Sequence, residues 1–258
     1  MTYSLDFTDK TVIVTGGGKG VGRGITEAFL RAGADVIICG RRAPETLPEA
    51  AGKTARFVAV DVREAEQIDA VLEAALEVRG RLDVLVNNAG GAPFVMAAEA
   101  KPSLHEKIIA LNLTAPLHFS QKANALMQTQ EGGGAIVNVA SVSGTRPSPG
   151  TAAYGAAKAG LLNLTRSLAV EWAPKVRVNC VTAGMILTEQ AHQHYGGEAG
   201  IAAVSATVPL GRMGLPEDVA HLCLFLASPL SSYVSGASLV MDGGGERPAF
   251  LDAATANK

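Results

Sequence analysis

The 258 residues carry 22 Lys and Arg against 24 Asp and Glu, a formal charge of −2, and 48% of them are apolar. No basic block offers a nucleic-acid surface, and no apolar run approaches the ~18 uninterrupted residues of a membrane span. The opening Met1-Thr2-Tyr3-Ser4-Leu5-Asp6 has neither the basic start nor the apolar stretch of a signal peptide, so a cytoplasmic protein acting on small molecules is expected, with no nucleic-acid or membrane partner.

Short β-branched runs alternate with helical stretches along the chain, at Thr11–Thr15, Asp35–Cys39, Ala55–Val60, Val84–Val86, Ala135–Val139, Arg177–Val181 and Ser238–Met241. That alternation predicts strands joined by crossover helices. Several runs are apolar throughout, as strands covered on both faces must be. The expectation is an α/β fold: a single doubly wound domain over 1–245, with a seven-stranded parallel sheet, helices on both faces and a tail at 246–258.

The first run ends in Thr15-Gly16-Gly17-Gly18-Lys19-Gly20-Val21-Gly22, and a helix is predicted from about Arg23 to Ala32. A helix N-terminus offers free N–H groups and a positive dipole end, and glycines let the backbone approach a ligand, so a diphosphate can sit in this turn. The strand before it and the helix after it raise the glycine cluster above a chance match.

Farther on, Tyr154 and Lys158 stand four residues apart in a stretch of small residues from Ala152 to Gly160. Residues so spaced share a helix face, with about 5–6 Å between Cβ atoms, and an ammonium beside a phenol favours proton loss from a group that titrates near ~10. Ser141 lies thirteen residues before the tyrosine. Cys39, Cys180 and Cys223 are widely spaced within apolar stretches and read as reduced core residues. His192-Gln193-His194 has no third ligand and makes a poor zinc site, so no metal is expected.

Gly16, Gly20 and Gly22 form a G-x-x-x-G-x-G pattern. With Asn87-Asn88-Ala89-Gly90, Ser141, Tyr154, Lys158 and the closing Asp242-Gly243-Gly244, the chain resembles the short-chain dehydrogenase/reductase family from about Lys10 to Gly244. The resemblance implies a Rossmann fold and hydride transfer between a nicotinamide cofactor and a ketone or secondary alcohol. It implies the catalytic set Asn112, Ser141, Tyr154 and Lys158. Tyr154 would pass the proton, Ser141 would bond the same oxygen, Lys158 would lower the tyrosine's pKa and hold the ribose, and Asn112 would support a water linking Lys158 to solvent. Ser143 lies close, but the family's serine-to-tyrosine interval selects Ser141.

Cofactor contacts are implied for Gly16, Lys19, Gly20, Val21, Gly22, Asp61, Val62, Asn88, Tyr154, Lys158, Ile186 and Thr188. After the second run the chain has Gly40-Arg41-Arg42 where an acidic residue would bond the 2′-hydroxyl of NAD. Arg41 and Lys19 resemble NADP-preferring members, and NADP(H) is expected ahead of NAD(H). The other reading is two solvent-exposed arginines and a turn lysine. Ala183 stands where proline is usual, which predicts a less rigid loop after the sixth strand.

Substrate specificity would come from Gly91–Ala100, Val142–Ala152 and Glu189–Val208, whose Phe94, Val95, Met96, Pro147, Pro149 and Ile201 suggest an apolar pocket. A free ketone or alcohol is expected, with 3-oxoacyl-(carrier protein) reduction as the alternative and a regulatory protein without turnover as a third reading. Members doing enoyl chemistry usually space the two residues by six. The resemblance also implies a homotetramer.

Overall fold

The computed structural model describes residues 5–254, apart from the side chain of Asp252. Nine strands form: β1 (Thr11–Thr15), β2 (Asp35–Gly40), β3 (Glu49–Ala50), β4 (Lys53–Thr54), β5 (Arg56–Ala59), β6 (Val84–Asn87), β7 (Gly134–Ser141), β8 (Val176–Ala183) and β9 (Ser238–Met241). Seven of them build one parallel sheet in the order β5-β2-β1-β6-β7-β8-β9, and β3 and β4 pair in a separate antiparallel ribbon that the residue pattern did not predict. The helices are α1 (Gly20–Arg31), α2 (Ile68–Arg79), α3 (Pro102–Ile109), α4 (Ala115–Thr129), α5 (Ala152–Glu171), α6 (Ala191–Tyr195), α7 (Glu198–Thr207), α8 (Pro216–Ala227) and α9 (Ala249–Ala253).

Side-chain alternation along the strands sorts the core into two layers. Val12 and Val14 face one side and pack with Ile25, Phe29 and Leu30 of α1 and Val219, Cys223 and Leu226 of α8. Ile13 faces the other, against Val71 and Ala75 of α2, Phe119 and Met127 of α4 and Leu168 of α5. Phe29 is fully buried and stands edge-on to Phe7, with ring centroids 5.0 Å apart. Burying a side chain of that size contributes about 1.5–3 kcal/mol. All three cysteines are buried: Cys39 on β2 and Cys223 on α8 in these two layers, and Cys180 on β8 in a small third cluster with Ala140 and Leu161. Burial pushes the Cys39 thiol up to about 12 and raises the other two.

Three expectations need correction. Helix α1 opens at Gly20, three residues before the predicted start, because the glycine turn itself supplies its first turn. Segment 189–208, expected as one of the substrate-specificity loops, carries α6 and α7. Ala183 belongs to β8, paired with Met241 and Ser141, and Gly184 N–H donates to Met241 C=O at 2.9 Å. The sheet ladder therefore supplies there the order that a proline would have given.

The chain crosses from β1 leftward to β2 and β5, then returns to the right through β6, β7, β8 and β9. At such a reversal the crossover helices diverge and leave a crevice beyond the carboxyl ends of the strands, the usual ligand position in this architecture. Thr15 and Asn87 end the two strands that flank it.

Candidate active site

The crevice floor is tied by backbone and short polar side chains. Thr15 Oγ1 accepts the N–H groups of Asn88 and Ala89 at 3.0 Å each. Asn88 Nδ2 donates to Thr15 C=O at 2.9 Å and to Gly16 C=O at 3.3 Å. The Asn88 amide thus holds the glycine turn against the end of β6. Gly22 follows from the same closeness: a Cβ there would lie 2.2 Å from Gly16 C=O and 2.5 Å from Asn88 Nδ2.

At the head of α1, Lys19 is exposed and extended, and Val21 packs on the core. Gly20 N–H donates to Glu189 Oε1 at 2.9 Å. A carboxylate thereby stands at the N–H of a helix N-terminus, the position suited to an anion. The contact places negative charge at the N–H end of α1, the chemistry that an anionic group such as a diphosphate would use.

Along the left rim, Arg41 and Arg42 are exposed at the end of β2. Asp61 follows β5, its carboxylate gripped by Arg63 at 3.0 and 3.2 Å from Nε and 2.5 Å from Nη2. Arg63, with a smaller contribution from Arg41, holds the Asp61 carboxyl below its usual range. Val62 is buried behind it.

On the right, Ser141 ends β7, and its Oγ accepts Ser143 N–H at 3.2 Å. Helix α5 presents Tyr154 and Lys158 on one face, with Lys158 Nζ 5.5 Å from the centroid of the phenol ring. Lys158 is 3% exposed, and Nζ donates to Val139 C=O at 2.7 Å. Burial pulls its pKa from the usual 10.5 to about 8.

Tyr154 differs from expectation. Burial raises its pKa, the hydrogen bond from Ser141 pulls the other way, and Tyr195 adds a smaller upward push. Ser141, not Lys158, is the group that pulls the Tyr154 pKa down. Gly90 separates two of these groups, since a Cβ there would lie 2.7 Å from Asn112 Oδ1 and 3.3 Å from Lys158 Nζ. Within the motif Asn87-Asn88-Ala89-Gly90, nothing local marks this task of Gly90.

Asn112 is fully buried in a π-turn over Ala110–Thr114 between α3 and α4. Its Nδ2 donates to Ile108 C=O and Gly91 C=O, and its Oδ1 accepts Gly91 N–H, all at 2.9 Å. Both side-chain N–H groups go to backbone carbonyls, and the amide fixes residues 90–91.

The lower lip is the strand-like stretch around Ile186, which bridges to Gly214; Leu187 N–H donates to Gly214 C=O at 2.8 Å. Thr188 accepts Gln190 N–H at 3.3 Å and lies against Gly20, 3.7 Å from a Cβ placed there. His192, His194 and Tyr195 lie on α6. Phe94 is 73% exposed, so this member of the expected apolar pocket stands outside it, although Val95 N–H donates to Gly150 C=O at 2.8 Å. Arg146, in the loop after Ser141, pairs with Glu246 at 2.5 Å and lowers the pKa of Tyr195, which burial nevertheless raises overall.

Comparison with known proteins extends the picture. A sequence family described as Enoyl-(Acyl carrier protein) reductase matches residues 16–246. The chain is 38% identical over 246 residues to the L-rhamnose 1-dehydrogenase (NAD(P)(+)) of Azotobacter vinelandii, covering 92% of this chain and 96% of that one. It is likewise 38% identical over 247 residues to a 3-oxoacyl-[acyl-carrier-protein] reductase of Chlamydia pneumoniae, covering 93% and 98%. The ligand-free aldohexose dehydrogenase of Thermoplasma acidophilum superposes with a TM-score of 0.86 at 30% identity, over 99% of both chains.

Proposed function

Since the chain belongs to the short-chain dehydrogenase/reductase family and is an oxidoreductase acting on CH–OH and C=O groups, we propose that it works between NADP(H) and an uncharged ketone or secondary alcohol. The observation that carries this reading is the convergence of Ser141, Tyr154 and Lys158 beside the glycine turn at the sheet's reversal point. When bound, the nicotinamide supplies or accepts the hydride.

In the reducing direction Tyr154 Oη delivers its proton to the carbonyl oxygen, while the Ser141 hydroxyl donates a hydrogen bond to that same oxygen. A phenol whose pKa burial raises stays protonated at neutral pH and is ready to donate. Lys158, buried yet still largely cationic below about pH 8, stabilises the phenolate left behind and holds the nicotinamide ribose. Asn112, through Gly90 and Gly91, keeps the loop against Lys158 in place. Gly16, Gly20, Val21 and Gly22 would hold the diphosphate, Asp61 and Val62 the adenine side, and Ile186 and Thr188 the nicotinamide end. Lys19 and Arg41, both exposed at the rim, support the choice of NADP(H), because a guanidinium grips a phosphate through paired hydrogen bonds.

Four-residue spacing of Tyr154 and Lys158 favours carbonyl over enoyl reduction. Arg146 is neutralised by Glu246, which favours an uncharged substrate over a carrier-borne acyl chain. The 3-oxoacyl reductase among the relatives keeps carrier-protein substrates as the second reading. We further propose a cytoplasmic homotetramer.

The test is turnover of NADPH and NADH with ketones, β-ketoacyl thioesters and secondary alcohols, using Tyr154→Phe and Arg41→Asp as controls. Tyr154→Phe should lose about 10²–10⁴-fold in turnover with NADPH binding kept within a few-fold. Arg41→Asp should weaken NADPH selectively. Binding of NADPH without turnover of any panel member would instead favour the regulatory reading.

A further inference from the structure

Glu189 makes a contact that the proposed reaction does not use. Its Oε1 accepts Gly20 N–H at 2.9 Å across 169 positions of sequence. Gly20 is the first residue of α1, and its N–H is one of the donors that a helix start leaves unpaired. Among the described residues, the first turn of α1 has no acidic side chain of its own, and Lys19 at the N-cap makes no side-chain cap. A carboxylate from a remote segment therefore takes the capping role, where negative charge is favoured by the dipole.

That segment leads into α6 and α7, together termed the lid. Upstream it is pinned by the pairing of Ile186 and Leu187 with Gly214. Downstream run α6 and α7, in which Ala191 is the one buried residue among those described. Thr188, next to Glu189, also lies against Gly20. The lid is thus fastened at its root, lightly packed along its length, and tied to the glycine turn by one carboxylate.

We propose that Glu189 is an internal competitor for the cofactor's diphosphate. In the free enzyme it caps α1 and holds the root of the lid on the glycine turn, and it must leave before a phosphate oxygen can use the same N–H. Cofactor binding and release of the lid root are then a single equilibrium, and affinity for the cofactor is reduced by the occupancy of the Glu189 contact. This rests on the reading of the turn as the diphosphate cradle.

The experiment compares wild type with Glu189→Gln and Glu189→Ala, exposed substitutions outside the catalytic set. NADPH and NADH dissociation constants are read by fluorescence titration, and amide exchange at Gly20 is followed in nucleotide-free protein. Both variants should bind NADPH about threefold to tenfold tighter, and Gly20 N–H should exchange faster than in wild type. Equal or weaker binding in both variants, or unchanged exchange at Gly20, overturns the proposal while leaving the cradle intact. If neither nucleotide binds wild type or variants, the cradle reading itself falls and the competitor role with it.

Discussion

Burial acts on the two central side chains in the same direction, towards neutrality, and it sets how each can serve. Tyr154 keeps its proton more firmly than a free phenol, and Lys158 gives its own up at about pH 8 instead of 10.5. Between those two pH values the unfolded chain holds a lysine proton that the folded chain has lost, so folding becomes more favourable as pH rises through this window. Below pH 8 the lysine is charged in both states and the whole burial penalty is present. Lys158→Met should therefore unfold at an equal or higher denaturant concentration than wild type at pH 7, by up to about 1–3 kcal/mol. The loss of the bond to Val139 C=O offsets part of that gain. The difference should shrink as pH approaches 10, while turnover falls by at least ~10²-fold. Denaturation at pH 7 and pH 10 checks the sign, and a gap that widens with pH would contradict it.

Among the elements, β7 and α5 are joined by a buried polar chain. Asn87 Nδ2 donates to Ser120 Oγ and to Asn138 Oδ1, and Asn138 Nδ2 donates to Thr165 Oγ1, each at 2.9 Å. Thr165 continues to Leu161 C=O at 2.8 Å. The run stitches α4, β6, β7 and α5 together three residues before Ser141. Asn138→Ala strands Asn87 and Thr165 in a dry interior and should cost about 1–3 kcal/mol in urea denaturation, with a smaller effect on the chemical step. A stability change under 0.5 kcal/mol would mean that water takes the vacated place.

The seven sheet strands were legible because β1, β2, β6, β7 and β8 are covered on both faces and their residues say so locally. The β3–β4 ribbon was not, since two residues per strand carry no periodicity. Helix α1 begins earlier than predicted because Gly20 and Gly22 have poor helix propensity, and the close packing of the turn on Gly16 and Asn88 is not legible locally. The π-turn at Asn112 depends on Gly91, twenty-one positions away, and Glu189 on Gly20, 169 away. Tyr154 and Lys158 stand out by their four-residue spacing and Ser141 by the family resemblance, but the burial that raises the Tyr154 pKa is a property of the packed interior.

At the scale of the molecule, the apolar surface has a pattern. Val170 near the end of α5 is 82% exposed, Val240 on β9 is 58% exposed, and Tyr233 just before β9 is fully exposed. These lie on the long helix and around the last strand, apolar faces that the proposed homotetramer would cover. Sedimentation should give the mass of four chains, and Val170→Glu should shift it downward; a single-chain mass for the wild type would remove the tetramer.

The buried thiols give the folded chain a set of internal clocks. Cys39 lies left of the sheet's reversal, Cys180 right of it and Cys223 on a helix covering one face, each screened from solvent and held as the unreactive protonated form. A thiol in that state reacts with an alkylating reagent only when its own neighbourhood opens. The three labelling rates would separate a local loosening of either half of the sheet, or of its covering helix, from loss of the whole fold.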